Sequence, residues 1–411
     1  MSRPITISLS PNVQKQDLKL ARKTLLKFSK YKEGPAVKEL EEIFKKDFRA
    51  SGVWSFNSGR SALLVLLQAL RISQGDEVAM QAFTCNAVSN PIFWASAKPI
   101  YVDIDESFNL DPTDLEKKIS HKTKAVIVQH TFGVPAQIEK IKEICKQHNL
   151  LLIEDMAHAL GSKYQGKLLG TFGDFAFFSF GRDKVISSVY GGMLISRVKQ
   201  FDKQITKAYQ EVKMPSLFWI KQQILHPLIM NLILPVYKLL IGKVLLVALQ
   251  KVKILSMAVH RKERLGEKPS YFPARLPNAL ATLALSQYRR LEKFNEHRKQ
   301  IAEIYSNSIQ NSKFKIQNCP TSAECNSFRF TIGHSGAHEI IRKAWDRNLL
   351  IGDWYTKVLI PAGTNLRLMG YEDGSCPRAE KAAQETLNLP THINIGKKEV
   401  EEIVKFLQKN I

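Results

Sequence analysis

Acidic residues are scarce in this chain. Its 411 residues hold 38 Asp and Glu against 60 Lys and Arg, a formal net charge of +22. Such a surface favours acidic partners: nucleic acid, anionic lipid headgroups or phosphorylated small molecules. No nucleic-acid-binding motif accompanies the charge, so no nucleic-acid partner is expected. Cysteine is scarce too, with Cys85, Cys145, Cys319, Cys325 and Cys376 the only five. No pair has CxxC spacing and the number is odd. Neither a disulfide framework nor a zinc site is therefore expected, and a reducing, cytoplasmic interior is the favoured compartment. The opening MSRPITISLSPNVQKQD has no apolar core, so no secretory signal is expected. Internal repeats and low-complexity tracts are missing.

What is present is ordinary for a soluble globular protein: 44% hydrophobic and 24% charged residues, with mass for two or three domains. Residues 1–34 read as a polar, loosely structured lead-in. From Pro35, EGPAVKELEEIFKKDF has a helical face of Val37, Leu40, Ile43 and Phe44. Ser58–Leu70 reads as a helix, EVAMQAF and KPIYVDI as strands, and Ala125–Gln129 as a buried strand. The helix IEKIKEICKQH and the strands LLLIED and DFAFFSF follow. Apolar strands alternating with amphipathic helices imply an α/β fold with a mostly parallel sheet. Residues 278–310 read as a long helix or helix pair. Beyond them SFRFTI, AHEIIRKAWDRN and KEVEEIVKFLQK suggest a smaller C-terminal α+β domain. The expected division is 1–34, 35–290 and 291–411.

Residues 217–257 break this rhythm, being dense in Leu, Ile and Val. A bilayer-spanning helix needs about 20 unbroken apolar residues. Here Lys221, Lys238 and Lys243 interrupt, and Pro227 and Pro235 are expected to kink or break a helix. A span is disfavoured. Two readings stay open: a buried helical hairpin at a subunit interface, or apolar helices lying on an anionic membrane, since Lys and Arg flank the stretch.

Three segments carry the chemistry. Ser58-Gly59-Arg60-Ser61 opens an apolar helix; its free amides and dipole suit a phosphate, and Arg60 adds a cation. LLLIED ends a strand in Glu154-Asp155, with His158 three residues on. A carboxylate there either caps a helix or pairs with a cationic ring nitrogen. A metal would need a further ligand at suitable spacing, and none is seen. The strand DFAFFSF delivers Ser179 and then Lys184. A lysine at the mouth of an apolar strand loses solvation, its pKa falls, and its neutral amine can attack an aldehyde. Each piece alone has a bland reading. Together they supply what pyridoxal 5′-phosphate (PLP) demands: a phosphate cradle, a carboxylate for the pyridine nitrogen and a lysine for the aldehyde.

At these residues the chain resembles the DegT/DnrJ/EryC1/StrS sugar aminotransferases, of PLP fold type I. The resemblance runs from about Tyr31 to the C-terminus through EGPAVKELEEIF, SGRSAL, GDEVAMQAFT, KPIYVDID, QHTFGVPAQIEKI, IEDMAHALGSKYQGKLLGTFGDFAFFSF with Lys184, GGMLIS, CPRAEKAA and LNLPTH. It implies Lys184 as the Schiff-base lysine and Asp155 as the pyridine partner. His158 falls near the cofactor, Ser179 and the Gly59 and Arg60 amides at its phosphate, and His130 at a family histidine read as a substrate contact. It also implies an amino-acid donor such as glutamate, a nucleotide-linked keto-sugar and a homodimer. Three positions depart from the family pattern. Cys85 stands where an aromatic residue often stacks on the pyridine, Arg60 replaces a threonine, and Pro273-Ala274-Arg275 replaces Asn-Tyr-Arg, whose Asn reaches the neighbouring subunit's phosphate. The alternatives are a PLP enzyme acting on a lipid-linked acceptor and a catalytically inactive regulatory or scaffold homologue. A sugar dehydratase is disfavoured, because such relatives carry His at the position of Lys184.

Overall fold

The computed structural model describes residues 3–310 and 312–410. Seven strands among them form one sheet: β1 (Gly52–Phe56), β2 (Glu77–Gln81), β3 (Lys98–Val102), β4 (Thr123–Gln129), β5 (Leu151–Asp155), β6 (Phe175–Ser179) and β7 (Gly192–Ser196). Their spatial order is β1-β7-β6-β5-β4-β2-β3. β7 runs antiparallel to both of its neighbours, and the pairs from β6 to β3 are parallel. The cause is visible in the strand sequences. Alternate residues of a strand point to opposite faces. Val126 and Val128 enter the core on one side of the sheet with Leu152 and Phe178. Ala125 and Ile127 enter the other with Ile153 and Phe177. A strand buried on both faces must read as a continuous apolar run.

Helices α1 (Lys15–Leu25), α2 (Pro35–Asp47) and α3 (Gly59–Ala69) precede or interleave with the first strands. Pro35 begins α2, where its missing N–H costs nothing. Leu40 and Phe44 are fully buried, and Phe44 packs against Phe48, Phe178 and Phe180. Helices α4 (Leu217–Ile233) and α5 (Ile241–Lys251) fill the apolar insert; α6 (Asn278–Tyr288) and α7 (Leu291–Ile309) form the expected helix pair. The smaller domain sets an antiparallel sheet of Lys315–Ile316, β8 (Phe330–Gly333) and β9 (Thr386–Leu389) against α8 (Ala337–Asp346) and α9 (Lys397–Gln408). Its core is separate, built from Ile332, Leu387, Leu389, Ile340 and Ile403.

Four expectations need correction. The lead-in is not loose. Ile5–Thr6 pairs in parallel with Leu349–Leu350, and α1 buries Asp17, Ala21 and Thr24. Its polar character comes from its outer face, while Leu20 and Leu25 pack on the core and Asp17 pairs with Arg290. Pro227 does not end its helix: α4 runs through it to Ile233, and Pro235 falls in a short 3-10 turn beyond. Nor is the insert a uniformly buried hairpin. α4 carries Trp219, Ile220 and Ile224 into the main core, whereas α5 buries only Gly242. The stretch Leu217–Val236 is long and apolar enough to cross a bilayer, but half of it is buried inside the protein. Finally, Cys319 and Cys325 form a disulfide, with Cα atoms 6.0 Å apart. An odd cysteine count excludes complete pairing, not a single pair. Here the turn in which Ala323 N–H donates to the Pro320 carbonyl folds the two cysteines together.

Candidate active site

Ligands of open α/β sheets gather at the carboxyl ends of the strands, and three neighbouring strand ends converge here. Asp155 closes β5 beside Phe177 of β6, and Ser179 closes β6 opposite Gly192 of β7. The start of α3 is pressed against them. Ser58 caps α3, its Oγ accepting the Ser61 N–H at 3.1 Å. Two glycines permit this approach. A Cβ on Gly192 would stand 2.4–2.6 Å from the Ser58 and Gly59 backbone, and one on Gly59 would stand 3.2 Å from the Phe178 carbonyl oxygen. The first-turn amides of α3 and Ser179 Oγ therefore face one small space. They make an anion cradle.

A cavity opens from that cradle. Gly59, Arg60, Cys85, Asp155, His158, Ser179 and Lys184 all line it. Burial lowers the Lys184 amine below the usual lysine range, against the pull of Asp183, Cys85 and Asp155. Burial pushes the Asp155 carboxyl up to about 6, although the Ala157 N–H, 2.9 Å from Oδ1, and Lys184 hold it down. Burial holds His158 well below the usual histidine range, helped by Lys184 and Arg329, so it is a neutral ring. Its ring stacks between aromatic faces: Phe328 at 5.1 Å, Trp354 at 5.4 Å and Phe132 at 5.5 Å.

Other expected residues play different parts. The Arg60 guanidinium is spent on Glu263 and lies 4.7 Å from the centre of the Phe272 ring, so only its backbone is left for an anion. Cys85 caps the helix Asn86–Trp94, its Sγ accepting the Ala87 N–H, and burial raises its thiol. It faces the cavity as a neutral, polarisable group. Arg275 donates to the Tyr209 and Gln210 carbonyls. His130 is not brought into the cavity. It is fully buried, with Nε2 3.1 Å from Glu154 and Nδ1 accepting the Ala136 N–H. Glu154 in turn accepts the N–H groups of Gly170, Phe172 and Gly173, each at 2.7 Å. That network pins the end of β5, and so positions Asp155. Glu154→Ala strands three buried amides, each costing about 1–3 kcal/mol. A loss on the order of 3–5 kcal/mol is expected in a denaturant titration; a midpoint unchanged from wild type would refute this role.

Several site residues were not anticipated. Trp354 and Tyr355 form a wall, and Lys184 Nζ lies 4.5 Å from the centre of the Trp354 ring. Arg329 stacks on that ring at 3.5 Å and is buried, yet none of its guanidinium nitrogens has a hydrogen-bond partner among the described residues. Asp183 stands 3.9 Å from it. An arginine at the entry to the apolar strand, in SFRFTI, was the available signal. Asn12, from the lead-in, donates to the Lys184 carbonyl at 2.7 Å and accepts from Arg298. A second, larger cavity of about 780 Å³ lies beyond the wall formed by residues 256–259.

The arrangement fits pyridoxal phosphate. The cradle would take the phosphate, Asp155 would hold the proton on the ring nitrogen, and Lys184 would supply the amine for the aldehyde. Glycine at 59 and 192 lets the start of α3 sit close against β6 and β7 at this end of the site. When bound, the cofactor supplies an electron sink for the carbanion at the reacting carbon. With the cofactor bound, Lys184 Nζ would take and return the proton at that carbon. Trp354, Tyr355 and His158 keep water away from it.

Fold and site together define a PLP-dependent aminotransferase of fold type I. The chain belongs to the DegT/DnrJ/EryC1/StrS aminotransferase family, whose model matches residues 12–222 and 245–408. The gap between the two matched parts falls within the apolar insert. Among curated relatives, the GDP-perosamine synthase of Escherichia coli O157:H7 is 41% identical over 167 residues, 40% of this chain. The match spans 46% of that relative, just under half its length. A pleiotropic regulatory protein of Geobacillus stearothermophilus is 27% identical over 93% of this chain and 91% of its own. Among solved structures, the PLP form of a putative sugar aminotransferase, Spr1654 of Streptococcus pneumoniae, superposes with a TM-score of 0.76. It is 21% identical and covers 100% of this chain and 99% of its own.

Proposed function

We propose that the protein, as a homodimer, moves an amino group from glutamate to a keto-sugar carried on a nucleoside diphosphate. The product would serve surface-polysaccharide or secondary-metabolite sugar synthesis. The observation that carries this reading is the pairing of a complete PLP site with a cation-lined cavity next to it. The larger cavity is lined by Lys213, Lys251, Lys253 and Arg261, with Trp219 and Tyr271 among its aromatic walls. Cations suit a diphosphate, and aromatic faces suit a base. The relative named for GDP-perosamine synthesis supports a nucleotide-borne amino sugar as product.

Arg329 supports an amino-acid donor. The buried guanidinium makes no hydrogen bond among the described residues, has Asp183 only at 3.9 Å, and so suits a carboxylate. Burial lowers its pKa to about 10, still far above neutrality, so it stays cationic. The test is to incubate the PLP-loaded protein with glutamate and a panel of nucleotide keto-sugars, following 2-oxoglutarate. Formation of 2-oxoglutarate with at least one sugar is expected. Arg329→Leu should raise KM for glutamate about ten- to a hundredfold, the weight of one charged hydrogen-bonding partner, and leave KM for the sugar unchanged. No turnover with any nucleotide sugar would sink the reading.

A further inference from the structure

We propose that α5, with the turn leading into it, is a docking element for an anionic lipid bilayer. Among the described residues, most of the large apolar side chains left exposed fall between Leu217 and Ile254. On α5 and its approach they include Leu240 (69%), Ile241 (66%), Val244 (60%), Leu245 and Val247. α5 is apolar nearly all round, interrupted by Lys243, Gln250 and Lys251, and it buries only Gly242. A helix of this kind needs something to cover it.

Charge decides what the cover is. From Val212 to Lys262 the chain contains no Asp or Glu, but eight Lys and Arg. Lys243, Lys251 and Lys253 sit on or beside the exposed ridge itself. A second copy seated on this same face by two-fold symmetry would set Lys243, Lys251 and Lys253 against their own counterparts, with no acid between Val212 and Lys262 to pair them. Like charges juxtaposed in this way oppose association. An anionic headgroup layer meets both needs: phosphates for the cations, and the acyl boundary for the apolar face, entered to a depth of about 5–10 Å. α5 has 11 residues, too short to span a bilayer that takes about 20. It therefore lies on the surface. Val247, Gln250 and Lys251 also wall the larger cavity, so docking sets that cavity at the headgroup layer. The inference stands independently of which sugar is aminated.

The test uses the full-length, PLP-loaded protein and large vesicles, one set of phosphatidylcholine alone and one containing phosphatidylglycerol. Co-sedimentation with the phosphatidylglycerol vesicles at low salt is expected. It should fall about tenfold or more with neutral vesicles or at high salt, as screening removes the attraction. The double variant Leu240→Glu/Val244→Glu should lose binding, with its melting temperature and cofactor absorbance kept as the control for folding. Lys251→Glu/Lys253→Glu provides an independent variant that leaves the apolar ridge intact and should weaken binding alike. Absence of binding by the wild type, or undiminished wild-type binding by both variants, overturns the proposal. So does a fall in oligomeric mass caused by the Leu240→Glu/Val244→Glu change, because a second copy would then be the cover.

Discussion

Lys184→Ala is expected to abolish covalent attachment of pyridoxal phosphate and to lower amino transfer about 10⁴-fold, the upper end of what a positioned acid–base group contributes. Borohydride reduction followed by peptide mass spectrometry reads the attachment, and a single-turnover assay with the amino donor reads the transfer. A reduced adduct at another lysine, or a half-reaction at the wild-type rate, would remove Lys184 from its assigned role. The same substitution should not destabilise the protein in the absence of cofactor. Burial lowers the folded pKa of Lys184, so the folded state holds that proton less tightly than the unfolded chain does. Its cost to stability is fully present below the folded pKa and fades as pH rises toward the unfolded value. Alanine removes that cost at neutral pH. An unchanged or higher melting temperature is the expected result.

Asp155→Asn carries the second large effect, and its signs are opposed for function and stability. Without the carboxylate, the ring nitrogen loses support that an adjacent opposite charge supplies, about one to three pKa units. Transfer should fall about ten- to a thousandfold, with a shifted absorbance of the bound cofactor as a second readout. In the cofactor-free protein the change should be stabilising near neutrality. Burial raises the Asp155 carboxyl from 3.8 to about 6. The folded state then binds its proton more tightly than the unfolded chain, so stability falls as pH rises through that window and is level above it. Asparagine removes the slope, for a gain of roughly 3 kcal/mol above pH 6 and little change below pH 4. Thermal melts of both cofactor-free proteins at the two pH values check this. Parallel losses at both would show that burial does not oppress the carboxylate.

The chemistry could be read from the chain because it sits at the ends of buried strands. Phe175–Ser179 and Leu151–Asp155 announce themselves by apolar runs, and Asp155, Ser179 and Lys184 follow at short range. The far wall of the site could not be read this way. Trp354 and Arg329 come from the second domain and meet Lys184 only through tertiary packing. His130 misled because a histidine after a strand is equally suited to a ligand or to a buried carboxylate, and Glu154 had claimed it. Arg60 likewise found Glu263, some two hundred residues on. The lead-in was misjudged by its polarity. Its contribution lies in few, specific contacts, Asn12 above all, which leave no periodic mark.

Those contacts bear on when the enzyme becomes competent as it is made. Thr6 offers its carbonyl to His392, 386 residues further along, and its strand pairs with Leu349–Leu350. Asn12, a few residues on, grips the carbonyl of Lys184. A ribosome releases the amino end first and lets early domains fold as units. Here the amino end has no complete seat until nearly the whole chain has emerged. The amino end that grips the loop bearing Lys184 is thus fully anchored only once the segments around Leu349 and His392 have joined it.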